Sequence, residues 1–598
     1  MRRILTAVAL VASARAAAAQ ANYQRAEQFL TWNTLRHVYN DQVEPTWYPD
    51  STRFWYRVHT RSGFQFMTVN PAAPGKASLF DNARLAAALS IAADTALDPV
   101  ALPFRSFTFD RDGNDETAIR VRIGKRGFRC DIRGYQCAVA DTLPDRTRFV
   151  RSPDERWDAF VSGHDLWIRP AGGGDSTRLT TDGVEGYRYG VGAPRANQVR
   201  RKLPQRPTVI WSPDSRRLAV ARIDERNVGT IDLVSMTSIR PAHYRYPYAL
   251  PGDSIVETIE WYVADVEAKR VQRIDARPQP MMSFYNFGGP SLQWSPQGDR
   301  IVFTEVDRGP KRVRLLSADP ATGAVSPLFA DSSATYVIGS VDLFGSAVNW
   351  RVLRNGDILW LAERDGFAHL YRHGADGTLK NRVTSGPWVV AALVGVDETL
   401  GRVYFTAKGR ETDRHPDYLS FYSVGLDGSG LTLLSPEKAT HRITAVPSGK
   451  LFLDTYSTIS EPPVTVIRRG DGRVVTELER ADITDLLATG WRPGEVFTAK
   501  ARDGATDMGA DREDPRALVE RLNAEARELG AEVAAAAWVQ ATYITPDTQL
   551  LNARATERML AWFSAAAGQA AAYDGQALEP DVARALKQVK LGVAAPAP

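Results

Sequence analysis

The feature that most limits what this chain can fold into is a turn that keeps returning. It stands as Trp211-Ser-Pro-Asp-Ser-Arg-Arg217 and Trp294-Ser-Pro-Gln-Gly-Asp-Arg300, and more loosely as Trp47-Tyr-Pro-Asp-Ser-Thr-Arg53 and Arg151-Ser-Pro-Asp-Glu-Arg156. Proline presets φ and Asp or Gly suits the turn, so each phrase closes one strand and launches an apolar one. Further copies begin at Asn355-Gly-Asp-Ile-Leu-Trp-Leu361, Asp397-Glu-Thr-Leu-Gly401-Arg-Val-Tyr-Phe405 and Pro447-Ser-Gly-Lys-Leu-Phe-Leu453. A few short antiparallel strands at a spacing of roughly 40–50 residues make the blade of a β-propeller. The span from about residue 40 to 480 holds seven or eight of them. The expected fold is therefore mainly β, a seven- or eight-bladed β-propeller with a short α-helical C-terminal segment.

Composition agrees with a folded protein, at 44% hydrophobic and 24% charged residues. Lys and Arg number 74 against 70 Asp and Glu, and a net charge of +4 over such a length is too weak for a nucleic-acid footprint. Residues 1–19 read as a signal peptide: a basic start at Arg2 and Arg3, an apolar run from Ile4 to Ala12, and small residues at Ala17-Ala18-Ala19. No later run is long enough for a membrane helix. The expectation is a periplasmic or secreted protein with no integral membrane segment once the signal is removed.

The two cysteines suit that compartment. In Cys130-Asp-Ile-Arg133-Gly134-Tyr-Gln-Cys137, a two-residue turn at Arg133 and Gly134 sets Ile132 opposite Tyr135 and Cys130 opposite Cys137. Opposed strand positions lie within disulfide range, so a Cys130–Cys137 bridge is expected, and no zinc framework fits a single pair.

The phrases Trp32-Asn-Thr-Leu-Arg-His-Val-Tyr39, Phe80-Asp-Asn-Ala-Arg-Leu-Ala-Ala-Ala-Leu89, Asp165-Leu-Trp-Ile-Arg-Pro170 and Glu363-Arg-Asp-Gly-Phe-Ala-His-Leu-Tyr371 resemble the N-terminal propeller of the dipeptidyl peptidase IV branch of the prolyl oligopeptidase family. The likeness runs from about residue 23 to 510, and Gly490-Trp-Arg-Pro-Gly-Glu-Val-Phe-Thr-Ala-Lys500 is similar to the stretch that enters that family's α/β-hydrolase domain. The resemblance implies a propeller that gates a Ser-Asp-His peptidase and grips the peptide N-terminus with paired glutamates. Those glutamates are expected after Tyr187-Arg-Tyr189, where this chain has Gly190-Val-Gly192 and, nearby, only Glu185.

The chemistry departs from that pattern. No Gly-x-Ser-x-Gly elbow occurs in the chain, and its last histidine is His441, inside the propeller span. No imidazole follows to serve as base in the family's order, so no catalytic residues are assigned and the chain is not expected to act as an enzyme alone.

After Gly509 the sequence turns to Ala, Leu and Glu at helical spacing, with Leu518, Leu522, Ala526, Leu529, Val533 and Ala537 on one face. Helix starts are expected at Asp514-Pro515, Thr545-Pro546 and Glu579-Pro580-Asp581, the last helix ending basic at Lys587 and Lys590. Trp538-Val-Gln-Ala-Thr-Tyr-Ile-Thr545-Pro-Asp-Thr548 resembles the opening helices of angiotensin-converting-enzyme-like zinc peptidyl-dipeptidases. That family's His-Glu-x-x-His is missing, and residues 511–598 hold no histidine or cysteine. The expected organisation is a signal at 1–19, a propeller over 20–480, a hydrolase-entry remnant at 481–510 and helices over 511–598.

His369 and His373 lie four apart, which on a strand separates them by about 13 Å, so packing or rim positions are expected rather than a metal site. His164, His243 and His415 carry no ligand spacing, and Gly172-Gly-Gly174 reads as a blade turn. No metal and no cofactor is expected. The sequence thus predicts an exported relative of serine dipeptidyl peptidases whose partners are peptides or a separately encoded hydrolase domain.

Overall fold

The recurring turn is held by its own side chains. Ser212 donates from Oγ to Asp214 Oδ1 at 2.6 Å and accepts from the Arg217 N–H at 3.0 Å, while Ser215 takes the left-handed conformation at φ 61°. In Ser295-Pro-Gln-Gly-Asp-Arg300 the left-handed position goes to Gly298 at φ 73°, and the serine hydroxyl turns to Asp299 Oδ1 at 2.6 Å. One geometry is thus written in two spellings. In the computed structural model, residues 27–591 are described except 49–51, 111–115, 141–147, 236–239, 241, 281–290, 310, 336, 338–348, 448, 501–506, 513–514, 543–545, 574–575 and 577. The expected signal segment lies outside the described residues.

Eight antiparallel sheets follow one another in chain order, the blades of an eight-bladed propeller, which settles the seven-or-eight expectation. Their first strands begin at Thr46, Thr108, Phe149, Tyr187, Leu292, Trp350, Val389 and Thr440. Strands deep in a blade are covered on both faces by neighbouring blades, so Ile358–Ala362 and Ser420–Gly425 are buried throughout, the first as a continuous apolar run and the second with Ser420 and Ser423 buried among its apolar residues. The tryptophan before Ser-Pro stitches blades together. Trp211 Nε1 donates to Val150 O of blade three and Trp294 Nε1 to Ile210 O of blade four, each at 3.0 Å.

Blade one and blade eight are each built from one continuous stretch of chain, and among the described residues no strand is exchanged where they meet. Phe54, Tyr56, Val58 and Val69 pack there against Leu453, Ile467 and Leu478. Tyr56 donates its hydroxyl to Glu479 Oε1 at 2.6 Å, and Lys76 reaches the same carboxylate and Leu478 O.

In blade two the strands Arg126–Asp131 and Gln136–Ala140 pair Cys130 with Cys137, whose sulfurs are bonded at 2.07 Å. The turn is wider than a two-residue one. The ladder ends at Asp131 and Gln136 because Asp131 Oδ1 accepts from the N–H groups of Arg133 and Gly134, each at 2.7 Å, and Ile132 donates to Thr117 O instead of facing Tyr135. Phe80-Asp-Asn marks a helix at Asn82–Ala93, whose N-terminus is capped by Asp81.

The chain divides into two compact units, 40–458 with 463–481, which is the propeller, and 1–39 with 459–462 and 482–598. In the second unit Glu495–Lys500 and Asp507–Arg512 form a hairpin, followed by helices Pro515–Thr542, Pro546–Ala571 and Pro580–Leu591. On the expected face Leu518 and Leu522 are buried, while Ala537 is exposed because packing against Ala566, Ala570, Tyr573, Val582 and Leu586 covers only the first turns. No helix among the described residues is long and apolar enough to cross a membrane.

Candidate functional site

Blade four departs from the plain four-stranded pattern. Its inner edge is split: Tyr187–Tyr189 and Val209–Trp211 both pair with Arg217–Asp224, and residues 190–208 leave the sheet between them. Gly190 makes the exit possible. It has φ 72°, and a Cβ there would lie 2.9 Å from Val161 Cγ2 and 3.0 Å from Pro207 Cβ. Its N–H donates to Ala221 O and its carbonyl accepts from Thr208, both at 2.7 Å, closing the base of the excursion. A short helix, Ala196–Arg201, forms within it, with Gln198 Oε1 accepting from the Arg195 N–H at 2.8 Å.

A second insertion rises beside it. Between Arg217–Asp224 and Thr258–Asp265 the chain extends into a two-stranded hairpin, Thr230–Ser235 with Ala242–Pro247. At its root the register sets Asp224 opposite Thr258, which brings the adjoining Glu225 and Glu257 to the same end of the ladder. Both are buried, at 4% and 3% exposure. Burial pushes the Glu225 carboxyl up and Glu257 adds to that, while the Ala193 N–H at 2.7 Å and the Arg188 guanidinium pull it down. Glu257 is held by Arg195, whose guanidinium donates to its Oε1 at 3.0 Å and to Pro247 O at 2.8 Å and lies 5.3 Å from the Tyr246 ring.

The strand that feeds the excursion is clamped by Arg222. Its guanidinium stands 3.5 Å from the Tyr187 ring centroid and 4.6 Å from that of Tyr189, and it donates to Asp182 Oδ2 at 2.7 Å and Asp182 O at 2.8 Å. Tyr187 donates to Glu260 and Tyr189 to Asp182, and burial raises both phenols, keeping them protonated donors. On this footing the helix and the hairpin enclose a groove of about 440 Å3 lined by Arg195, Asn197, Arg200, Leu233, Tyr244 and Tyr246.

The sequence-derived candidates fall elsewhere. Glu185 is exposed and stands 3.7 Å from Arg188, so the carboxylates near the excursion are ones the sequence reading missed. Their only local signal is that each sits at an end of a blade strand. His369 and His373 are buried apart. His369 Nε2 donates to Gly386 O at 2.8 Å while Nδ1 meets the Thr384 hydroxyl; His373 Nδ1 donates to Gly377 O at 2.8 Å, and its ring stacks on Phe329 at 3.8 Å. Burial lowers both imidazoles, so both are neutral packing residues. His243 contacts Asp232 on the exposed hairpin, and His415 accepts from the Asp417 N–H. Gly172 and Gly174 lie in the turn between Asp165–Pro170 and Thr177–Arg178.

One cluster has ligand-like chemistry. Ligand atoms of Glu437, His441 and Asp454 lie within 4.8 Å of one another. Arg468, itself buried, already supplies the cation: it donates to Asp454 Oδ2 at 2.8 Å and to both Glu437 oxygens at 3.1 and 3.0 Å. His441 Nε2 faces Glu437 O, so no serine completes a relay with it. Beside it a cleft of about 580 Å3 opens between blades seven and eight, lined by Asp41, Ala392, Val394, Thr440 and Arg442.

Comparison with known proteins bears on this arrangement. The sequence profile of the dipeptidyl peptidase IV (DPP IV) N-terminal region matches residues 131–463. Dipeptidyl peptidase 4 of Trichophyton tonsurans is 25% identical over 310 residues, 50% of this chain and 38% of that protein. Inactive dipeptidyl peptidase 10 of Mus musculus is 22% identical over 282 residues, 45% of this chain and 33% of its own length. The chain thus spans about two fifths or less of the curated relatives it matches. Among solved structures, Porphyromonas gingivalis dipeptidyl peptidase 4 superposes with a TM-score of 0.57 at 19% identity, over 79% of this chain and 65% of that one. The profile ends at residue 463, before the C-terminal helices, and nothing in these comparisons supports the likeness to zinc peptidyl-dipeptidases.

Proposed function

Since the chain belongs to the family of the dipeptidyl peptidase IV N-terminal region, we propose that it is an exported, peptide-holding propeller that performs no hydrolysis by itself. The observation that carries this reading is the rebuilt blade four. A split inner strand, an excursion anchored from below by the Arg195–Glu257 pair, and an aromatic groove make a concave, mixed polar and apolar site of the kind that orients an extended chain. Hydrolysis needs an activated nucleophile. The 598 residues contain no Gly-x-Ser-x-Gly and no histidine beyond His441, and His441 is bound up with Asp454, Glu437 and Arg468.

A second reading rests on the hairpin Glu495–Lys500 with Asp507–Arg512, formed by the stretch similar to the entry into a hydrolase domain. In that reading the chain selects peptides for a serine peptidase domain encoded separately. The test is to incubate the purified chain with a proline-second dipeptide chromogenic substrate and a fluorophosphonate. No turnover and no adduct are expected; labelling of a serine in the pure chain overturns the proposal. Turnover that appears only when a hydrolase domain from a neighbouring reading frame is added selects the second reading.

A further inference from the structure

The cleft between blades seven and eight is larger than the blade-four groove, at about 580 Å3 against about 440 Å3, and register builds its wall. In blade eight the strands Thr440–Ala445 and Leu451–Ser457 set Thr440 opposite Ser457 and Arg442 opposite Thr455, so these four side chains share one face. Blade seven contributes Ala392 and Val394 from Val389–Asp397 and the buried Thr406 from Arg402–Lys408. Asp41 enters from the segment ahead of blade one. Asn40 takes the left-handed conformation at φ 57° with its N–H donating to His59 O at 2.8 Å, and Val43 is buried at the seam of blades one and eight, so Asp41 is held from both sides.

Two opposite charges on this wall are left over. The Arg442 guanidinium is exposed and has no ion pair or hydrogen bond among the described residues. The Asp41 carboxylate is half-buried; burial pushes it up, its own backbone N–H pulls it down, and the charged group acting on it is His59. No ion pair joins Asp41 to Arg442. A carboxylate withdrawn from water without a cation at hydrogen-bond distance is held at a cost that a ligand ammonium relieves. The rest of the wall is hydroxyl and aliphatic, with Thr440, Thr455 and Ser457 beside Val394 and Ile443, and no Phe, Tyr or Trp among its described residues. The His441 ring is committed to Asp454 and to Glu437 O.

We propose that this cleft takes a short peptide with both ends free, two or three residues with small aliphatic side chains, its ammonium on Asp41 and its carboxylate on Arg442. The site is separate from the blade-four groove and does not rest on the reading given to it. The volume suits a ligand larger than a single amino acid. The occupant is nevertheless short, because each extended residue adds about 3.3 Å and both ends must reach one cleft. A chain long enough to lie along blade four cannot satisfy both charges here. The absence of an aromatic wall removes the stacking surface that a nucleobase uses.

The test is equilibrium dialysis of the full chain with radiolabelled alanyl-valine, competed by its N-acetyl, C-amide and doubly blocked forms. Acetylation is expected to weaken binding about tenfold, since it removes a charge-assisted bond to a half-buried carboxylate, and amidation about threefold, since Arg442 is exposed. Asp41→Asn should weaken the unblocked dipeptide about tenfold and leave the acetylated form unchanged. Arg442→Gln should weaken it about threefold and leave the amidated form unchanged. The blocked ligands read the same two contacts on the unaltered chain, so the outcome does not depend on a variant folding. Equal binding of all four forms, or no binding at millimolar concentration, overturns the proposal; so does binding that neither substitution changes, which puts the dipeptide elsewhere. Free valine binding as tightly as alanyl-valine overturns the peptide assignment in favour of a single amino acid. Each of these results leaves the blade-four reading standing.

Discussion

The seam between blade one and blade eight is bridged by a buried hydrogen bond between side chains. Tyr56 is fully buried, and its hydroxyl donates to Glu479 Oε1 at 2.6 Å across the seam. Burial first, and Glu479 second, raise the phenol, so it remains a donor throughout the accessible pH range. A hydrogen bond to a charged acceptor contributes roughly 1.5–3 kcal/mol. Tyr56→Phe removes it without leaving a cavity and is expected to cost about that much. Glu479→Gln leaves Tyr56 only a neutral acceptor, which weakens that bond by about 1 kcal/mol, and loses the Lys76 ion pair for up to about 1 kcal/mol more, since Lys76 is one-third exposed. In the double variant the two losses should fall short of additivity by about 1 kcal/mol or more, the sign of a shared interaction. The assay is urea unfolding of the four proteins, with amide exchange followed in Phe54–Thr60 and Val464–Arg469, where opening should accelerate first. Additivity within about 0.3 kcal/mol, or exchange that accelerates equally in all blades, would refute the reasoning.

Three other outcomes follow from the geometry. His369 and His373 have imidazoles lowered by burial, so the unfolded chain takes up their protons more readily; the stability they contribute is full above the unfolded value of about 6.5 and is lost as pH falls through their folded values. Urea midpoints should therefore decline from pH 7.5 to 5.5, and His369→Gln with His373→Gln should flatten the decline. Reduction of Cys130–Cys137, which closes a short loop in blade two, should lower stability by about 2 kcal/mol, measured as a shift in urea midpoint with and without reductant. Gly190→Ala places a Cβ 2.9 Å from Val161 Cγ2 at positive φ, and should cost more than about 1 kcal/mol while weakening peptide binding at the groove.

What the sequence disclosed tracks how local each determinant is. The Ser-Pro-Asp turn is written in adjacent side chains, so the blades it launches were legible, as was the register that opposes Cys130 to Cys137. The width of that turn was not, because Asp131 Oδ1 competes for the N–H groups of Arg133 and Gly134. The blade count stayed between seven and eight because blade two lacks the phrase and follows the inserted helix Asn82–Ala93, and because blade four splits its inner strand. The site itself was hidden for a topological reason. Glu225 and Glu257 meet only because Arg217–Asp224 pairs with Thr258–Asp265 around an intervening hairpin, and no window along the chain contains both.

The central claim, that blade four is where this propeller holds a peptide, is tested most directly by photo-crosslinking. A benzophenone-bearing peptide with proline in second position is irradiated with the full chain and the adducts are mapped by mass spectrometry. Adducts confined to residues 192–206, 231–235 and 242–248 are the predicted result. Adducts on the walls of the cleft between blades seven and eight, at residues 392–394 and 440–443, would contradict the account.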